Sequence, residues 1–324
     1  MEIYTFNAYL KERFGKKIYK ISLNAGMSCP NRDGTIGTGG CIFCSEGGSG
    51  DFASPASLSI TRQIEEGISL VKNKIKEGSG PCYIAYFQAY TNTYAPIERL
   101  RAIYEEAAKN ENIVAISIAT RPDCIDENIA NLLYEINKIK PVIIELGLQT
   151  SNESSAKYIR RGYDNNMFEK AVTIIDNINR RISDTEDNIT NKHCNISSHI
   201  HIVVHMIIGL PGEDITTMLD TVRYINSFPI HGIKFQLLHI LKNTDLAKDF
   251  EKKSFKVLSM EEYADILIKL LLNLRSDIVV HRITGDGPKK ILIAPTWSAD
   301  KKKVLNYINK RLKDHPGNQG LEVL

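Results

Sequence analysis

The sequence predicts an α/β fold, a partial (β/α)6 barrel carrying a C-terminal extension. Three observations predict it. Short stretches rich in β-branched and aromatic residues alternate with helix-periodic segments from residue 17 to residue 275. Each strand-like stretch precedes a helix-like one, the pattern of βα units around a parallel sheet. The glycine-containing and polar stretches that look chemical fall at or just after strand ends, where barrels of this kind gather function.

The elements follow in order. Residues 1–16 form a lead-in, with Tyr9, Leu10 and Phe14 on one side of an amphipathic segment. Residues 17–25 alternate apolar and polar and read as the first strand. A cysteine-bearing loop comes next, then a Gly/Ser-rich stretch over 45–57. Helical periodicity runs over 59–77 through Ile64, Ile68, Val71 and Ile75. Strands are predicted at 83–88, 113–120, 142–148, 199–209 and 233–240. Helices are predicted at 97–109, 127–138, 154–161, 167–180, 216–227 and 260–275. Counted from Lys17, this gives six βα units within a core of 17–277. Residues 184–198 are polar and turn-rich where a tight turn would serve, and read as a surface insertion. Residues 278–324 add a strand at 278–283, a Gly-Asp-Gly-Pro turn, a short strand at 291–294 and a helix from Ser298. They read as an extension that closes the open barrel.

At 324 residues with a hydrophobic fraction of 43%, one barrel-sized domain or two smaller ones would fit, with enough apolar residues for a packed core. It has no apolar run of about 18 residues, so no membrane span is expected. Met1-Glu2-Ile3-Tyr4 does not open like a signal peptide. A cytoplasmic location is the expectation, and there the six cysteines are ligands or free thiols rather than disulfides. The net charge of +3 is mildly basic. Lys289, Lys290, Lys301, Lys302, Lys303, Lys310, Arg311 and Lys313 concentrate it near the end. They form either a solvated helix face or a patch for RNA phosphates.

The chemistry centres on residues 29–44. Cys41 and Cys44 form a C-x-x-C pair, with Cys29 upstream. Gly34, Gly37, Gly39 and Gly40 let the intervening loop fold tightly, while Ile36 is its one aliphatic residue. Such a loop wraps something other than its own core. Zinc and iron–sulfur clusters both use this spacing. Structural zinc closes with four protein ligands, yet no Cys or His lies between Cys44 and Cys82. A zinc site completed from elsewhere, three unrelated core thiols, and a [4Fe–4S] cluster with one open iron are the available readings; three ligands in one loop suit the last. Cys82, Cys124 and Cys194 form no C-x-x-C pair, so nothing supports a second cluster.

A loop after a strand that ends Cys-x-aromatic-Cys resembles the radical S-adenosylmethionine (SAM) superfamily. The C-x11-C-x2-C spacing departs from that superfamily's commonest C-x3-C-x2-C and resembles the branch of the Elongator catalytic subunit. Tyr86-Phe87-Gln88-Ala89-Tyr90-Thr91, Thr120-Arg121-Pro122-Asp123 and Glu145-Leu146-Gly147-Leu148-Gln149-Thr150 look like the YtqA/YhcC family within it. So do Arg160-Arg161-Gly162-Tyr163, Gly209-Leu210-Pro211-Gly212-Glu213 and Ile283-Thr284-Gly285-Asp286.

The resemblance implies a TIM-like radical SAM barrel in which Cys29, Cys41 and Cys44 hold three irons of a [4Fe–4S] cluster. SAM, chelated by the fourth iron, then yields a 5′-deoxyadenosyl radical that takes hydrogen from a substrate. The implied SAM contacts are Phe43, Gln88, Ala89, Tyr90, Thr91, Thr120, Glu145, Gln149, Arg160, Arg161, His205, Gly209 and Pro211. Glu145 and Gln149 lie four apart and share one strand face. Either arginine can fork onto the SAM carboxylate, and Gly209 lets backbone run beside adenine. Plain structural roles stand beside these: a polar network for Glu145, a surface role for one arginine, a turn for Gly209 and a barrel histidine for His205. Tyr94, Arg121, Gln236, His239, Lys289 and Lys290 are candidates for the substrate side.

The same branch implies tRNA as partner, with the wobble-uridine side chain taken from 5-carboxymethylaminomethyl to 5-aminomethyl. It also implies an electron donor such as flavodoxin or ferredoxin. A radical SAM enzyme for a small metabolite or peptide, and a non-catalytic zinc-stapled RNA-binding protein, are the alternatives.

Overall fold

The computed structural model describes all residues except 49, 51–52, 75–79, 81, 185–198, 254, 286 and 324. Strands β1 (Tyr19–Leu23), β2 (Tyr83–Phe87), β3 (Ile113–Thr120), β4 (Val142–Gln149), β5 (His201–Ile208) and β6 (Gly232–Leu237) lie side by side in chain order, all parallel. β7 (Ile240–Leu241) leaves the sheet, and β8 (Val279–Arg282) returns to it, parallel to β6. β9 (Leu292–Ala294) pairs antiparallel with β7. The curled sheet is an open, partial barrel. Every residue of β2 and β3 is buried, as expected of parallel strands covered on both faces.

The helices that return the chain are α2 (Ile60–Val71), α3 (Ile97–Lys109), α4 (Glu127–Ile139), α6 (Asn165–Asp184), α7 (Ile215–Asn226) and α9 (Met260–Leu272). Side chains fix their starts. Asp126 and Asp214 accept from the backbone N–H of Ile129 and Thr217 at 2.8 and 2.9 Å. Ser259 and Glu262 form a reciprocal capping box on α9. Two short helices, α5 (Glu153–Tyr158) and α8 (Asp245–Glu251), sit beside the cysteine loop.

The structure departs from expectation in four places. The strand expected over 278–283 lengthens the sheet as a seventh parallel strand. It does not close the barrel, because β1 and β8 remain its two unpaired ends. The lead-in helix α1 (Phe6–Phe14) covers that gap instead. Val280 N–H donates to Tyr4 O at 2.7 Å, Phe6 stacks on His281 with centroids 3.9 Å apart, and Lys20 Nζ of β1 lies 4.9 Å from the Phe6 ring. Unpaired strand edges need such cover. The strand expected over 233–240 breaks after Leu237, and its last residue joins β7. The helix expected over 154–161 stops at Tyr158, because Arg160 takes φ +52°. α8 was not foreseen, since its seven residues are too few to show a period. The expected insertion lies outside the described residues from 185 onward, as do Cys194 and Asp286. The final helix α10 (Lys301–Asp314) buries Val304, Ile308 and Leu312 in the same apolar core that holds Tyr9 and Leu10.

Gly67 in α2 tests how tightly this helix seats. A Cβ there would lie 2.2 Å from Ile21 Cγ2, on a β-branched side chain that is 3% exposed. Helix propensity alone favours Gly67→Ala by about 1 kcal/mol. The clash wins: the substitution is expected to destabilise the protein by about 1–3 kcal/mol, read from its urea midpoint. A gain in stability would show the helix free to shift.

Candidate active site

The cysteine loop lies over the carboxyl ends of the strands. Cys29 O accepts from the N–H groups of Arg32 and Asp33 at 2.8 and 3.1 Å, and Cys44 N–H donates to Cys41 O at 3.0 Å. Gly40, at φ +70°, turns the chain where a Cβ would sit 2.8 Å from Arg32 Nε. Two hydrogen bonds moor the loop to the end of α5: Ile42 N–H to Ile159 O at 3.1 Å, and Asn31 Nδ2 to Arg160 O at 2.6 Å. Arg32 adds donations to Cys44 O and Ser45 O at 3.1 and 2.7 Å.

Cys29, Cys41 and Cys44 line one cavity. The cavity extends from them over the strand ends to Gln236, His239 and Arg282. Phe43, Gln88, Tyr90, Thr91, Thr120 and Arg121 also line it, as do Glu145, Gln149, Arg161 and His205. Cys82 is buried in the main apolar core, and Cys124 borders a separate groove beside Tyr94 and Ile36.

At the cysteine end, Arg121 is clamped bidentately by Asp123, with Nε–Oδ1 and Nη2–Oδ2 at 2.9 and 2.7 Å, and its Nη1 donates to Arg161 O at 2.9 Å. Arg161 is 1% exposed. It donates to the carbonyls of Leu148, Thr150 and Tyr163 at 3.1, 2.8 and 2.9 Å, so its fork braces the end of β4. There the pairing slips between Gly147 and Gln149, and Gln149 takes φ +69°. Burial, followed by the neighbouring Cys44, pushes the Cys41 thiol up to about 12. Alone it stays protonated; a bound metal cation reverses that balance.

Below, the barrel's interior is polar. Glu145 is fully buried. It accepts from Lys20 Nζ at 2.9 Å and Ser117 Oγ at 2.6 Å, pairs with His205 Nε2 at 2.8 Å, and takes a short bond from Lys234. Burial alone would raise its carboxyl pKa, but Lys20, Lys234 and His205 outweigh it and hold the group well below the usual carboxylate range. Burial pushes Lys234 the other way, far below an ordinary lysine, against the pull of Glu145. Lys234 also donates to Tyr86 Oη at 3.2 Å.

Several expected site residues lie elsewhere. Arg160 points away and pairs with Asp245 at the surface. Ala89 is buried beneath Gly50. Gly209 packs on Leu258, whose Cδ1 lies 2.9 Å from where a Cβ would be, so backbone there meets a side chain and not the cavity. Pro211 is likewise absent from the lining, and Tyr94 shares a hydrogen bond with Thr35 at 2.7 Å on the neighbouring groove. Lys289 and Lys290 are exposed just past Pro288, which lines the mouth. The sequence reading missed Lys20, Tyr86, Lys234 and Arg282. For Lys20 and Lys234 the available signal was a charge between apolar neighbours in a strand.

Two family models match the chain: the Radical SAM superfamily over residues 33–225 and the Radical_SAM C-terminal domain over 230–314. The chain belongs to the radical SAM superfamily. YtqA of Bacillus subtilis (strain 168) is 40% identical over 317 residues, 98% of this chain and 91% of that protein. YhcC of Escherichia coli (strain K12) is 32% identical over 316 residues, 97% and 93% of the two. The archaeal Methanocaldococcus infernus Elp3 with an N-terminal deletion has the same fold, at TM-score 0.64 and 14% identity. It aligns with 91% of this chain, which spans 63% of that protein.

The cofactors of this radical SAM enzyme are a [4Fe–4S] cluster and SAM. Together they supply reductive cleavage of a sulfonium carbon–sulfur bond, and an electron donor is required. The residues present fit the cluster. Cys29, Cys41 and Cys44 share a cavity whose described lining holds a single carboxylate, Glu145. No three His, Cys, Asp or Glu among the described residues converge as one metal ion requires. A cube that spreads its thiolates over separate irons suits that spacing better than a single zinc. No helix among the described residues is long and apolar enough to cross a membrane.

Removing the buried charge should be costly. Glu145→Gln leaves Lys20 and the buried Lys234 facing a neutral amide, and a loss of about 3–5 kcal/mol in chemical denaturation is expected. The interior also fixes a pH dependence. Burial first of all holds His205 and His231 down to about 4, and His201 and His281 well below 6.5. A base whose pKa falls on folding is protonated more readily in the unfolded chain. Its stabilisation is therefore complete above pH 6.5 and lost as pH falls toward 4. His205, 18% exposed, alone accounts for about 3 kcal/mol over that window. Denaturation midpoints that stay level between pH 7 and 5 would contradict this.

Proposed function

We propose that Cys29, Cys41 and Cys44 ligate the cluster, and that this radical SAM enzyme removes the carboxymethyl part of 5-carboxymethylaminomethyl-uridine at the tRNA wobble position. The single observation that carries the cluster assignment is that all three cysteines line one cavity at the strand ends. The first family match begins at residue 33, so Cys29 enters on that geometry. The tRNA reading draws on the likeness to YtqA and YhcC over nearly the whole chain. Surface charge supports it. Lys289 and Lys290 are exposed beside the mouth, and Lys301, Lys302, Lys303, Lys310 and Lys313 are exposed along α10. Residues 278–324 then act as an extension of the barrel that holds the RNA.

The chemistry is reasonable for that side chain. The carbon between its amine and carboxylate has a weak C–H bond, because both neighbours stabilise the resulting radical. Loss of one hydrogen atom to the 5′-deoxyadenosyl radical, and of one further electron to a one-electron acceptor, gives an imine and releases a proton. Water cleaves the imine to 5-aminomethyl-uridine and glyoxylate. Flavodoxin or ferredoxin suits the reducing partner.

The test is nucleoside analysis of tRNA before and after anaerobic incubation with reconstituted enzyme, SAM and reductant. The carboxymethylaminomethyl nucleoside should fall as aminomethyl-uridine rises, with 5′-deoxyadenosine formed. An unchanged pool, with tRNA making no difference to SAM cleavage, would point to a small metabolite or peptide instead. Cys41→Ala should lose both the brown colour and 5′-deoxyadenosine formation; a variant retaining both would remove Cys41 from the cluster.

A further inference from the structure

Four arginines line the cavity: Arg32, Arg121, Arg161 and Arg282. The first three are engaged by carbonyls or carboxylates. Arg32 donates to two backbone carbonyls, Arg121 is clamped by Asp123, and Arg161 binds three carbonyls and lies 3.5 Å from Glu153. Arg282, at the end of β8, differs. Its Nη2 donates to the neutral amide oxygen of Gln236 at 2.7 Å, and its Nε is buried without an acceptor. Gln236 is itself held close, since a Cβ on Gly285 would meet its Cγ at 2.9 Å. Register places Lys234 of β6 beside Arg282, so two cations stand side by side. Glu145 is the sole carboxylate among the described lining residues, and Lys20 and Lys234 already share it. Among the described lining residues, none supplies a carboxylate to Arg282.

We propose that Arg282, oriented by Gln236, anchors a carboxylate at the tip of the substrate. The inference rests on the substrate reading above, in which the reacting carbon is attached to such a group. A guanidinium carries five N–H donors, of which Gln236 takes one, and the donors that remain suit a planar carboxylate. A polynucleotide phosphate is a poorer fit, because Arg282 sits inside the mouth lined by Gly287 and Pro288, where a side-chain tip enters more readily than a backbone. The SAM carboxylate belongs at the other end, with the cysteines. Arg121 is the guanidinium whose charge reaches Cys41, whereas that of Arg282 reaches Tyr86, His205 and Lys234.

The experiment uses the full chain, reconstituted and loaded with SAM, and N-ethylglycine as the smallest probe with the same amine–methylene–carboxylate end. Saturation-transfer NMR should detect N-ethylglycine on the unaltered enzyme but not neutral N-ethylglycinamide. Arg282→Gln should weaken N-ethylglycine binding by about tenfold or more, with SAM affinity held within about twofold. Arg282→Lys, which keeps the charge and loses the fork, should fall between; it decides the matter if the glutamine variant does not fold. The proposal is overturned if N-ethylglycine does not bind, if the amide binds equally well, if neither variant weakens binding, or if SAM affinity falls with it. The two readings separate. Binding that depends on Arg282 while tRNA nucleosides stay unchanged would sink the tRNA substrate and keep the anchor. Processing of tRNA that Arg282→Gln leaves intact would do the reverse.

Discussion

One buried carboxylate organises the barrel. Glu145 lies on a central strand, wholly out of water, and its partners come from β1, β3, β5 and β6. A single side chain therefore ties strands together across the lumen as well as along the sheet. Enclosing a charge costs several kcal/mol, and one cation rarely repays it. Two lysines, a hydroxyl and an imidazole together satisfy both oxygens, which keeps the group ionised in this setting. Apolar layers commonly fill a barrel of this class. Here a charged layer stands in their place, and the space above it stays hospitable to polar ligands.

That layer also grades the cavity. Burial holds the Cys41 thiol protonated at one end, so deprotonation and metal binding are coupled. The adjacent guanidinium, Arg121, is already neutralised by Asp123 and can stabilise thiolates without presenting a bare charge. At the far end, Arg282 lies beside Lys234 in register, with no second carboxylate among the described lining residues. A ligand that spans the cavity meets sulfur first and positive charge last.

Much of this was legible in the sequence. Apolar stretches located the first six strands, because parallel strands buried on both faces leave near-continuous runs rich in Val, Ile and Phe. The cysteine loop announced itself through spacing and glycines. The charged layer did not. Lys20 and Lys234 each interrupt an apolar strand, and alternation reads such residues as facing solvent. Only pairing with Glu145, 125 and 89 residues away in the chain, makes them interior. The surroundings of Gly209 were hidden for a related reason. Glycine signals close approach, but the neighbour here is Leu258 from a distant loop, and nothing local distinguishes a side chain from a ligand. Arg282 escaped notice because it ends the strand that was read as closing the barrel.

The lead-in completes the logic of the site. At the amino end of β5, Tyr9 Oη meets His201 Nδ1 at 3.2 Å, and His201 Nε2 meets His281 Nε2 at the same distance. Phe6 stacks on His281. Aromatic rings and neutral imidazoles thus stop that end of the barrel. Access to the polar interior runs from the carboxyl ends of the strands, past the cysteines and the loops that follow β6 and β8. Reactive chemistry placed under such a stopper meets water from one direction, and a large substrate need insert no more than the group to be altered.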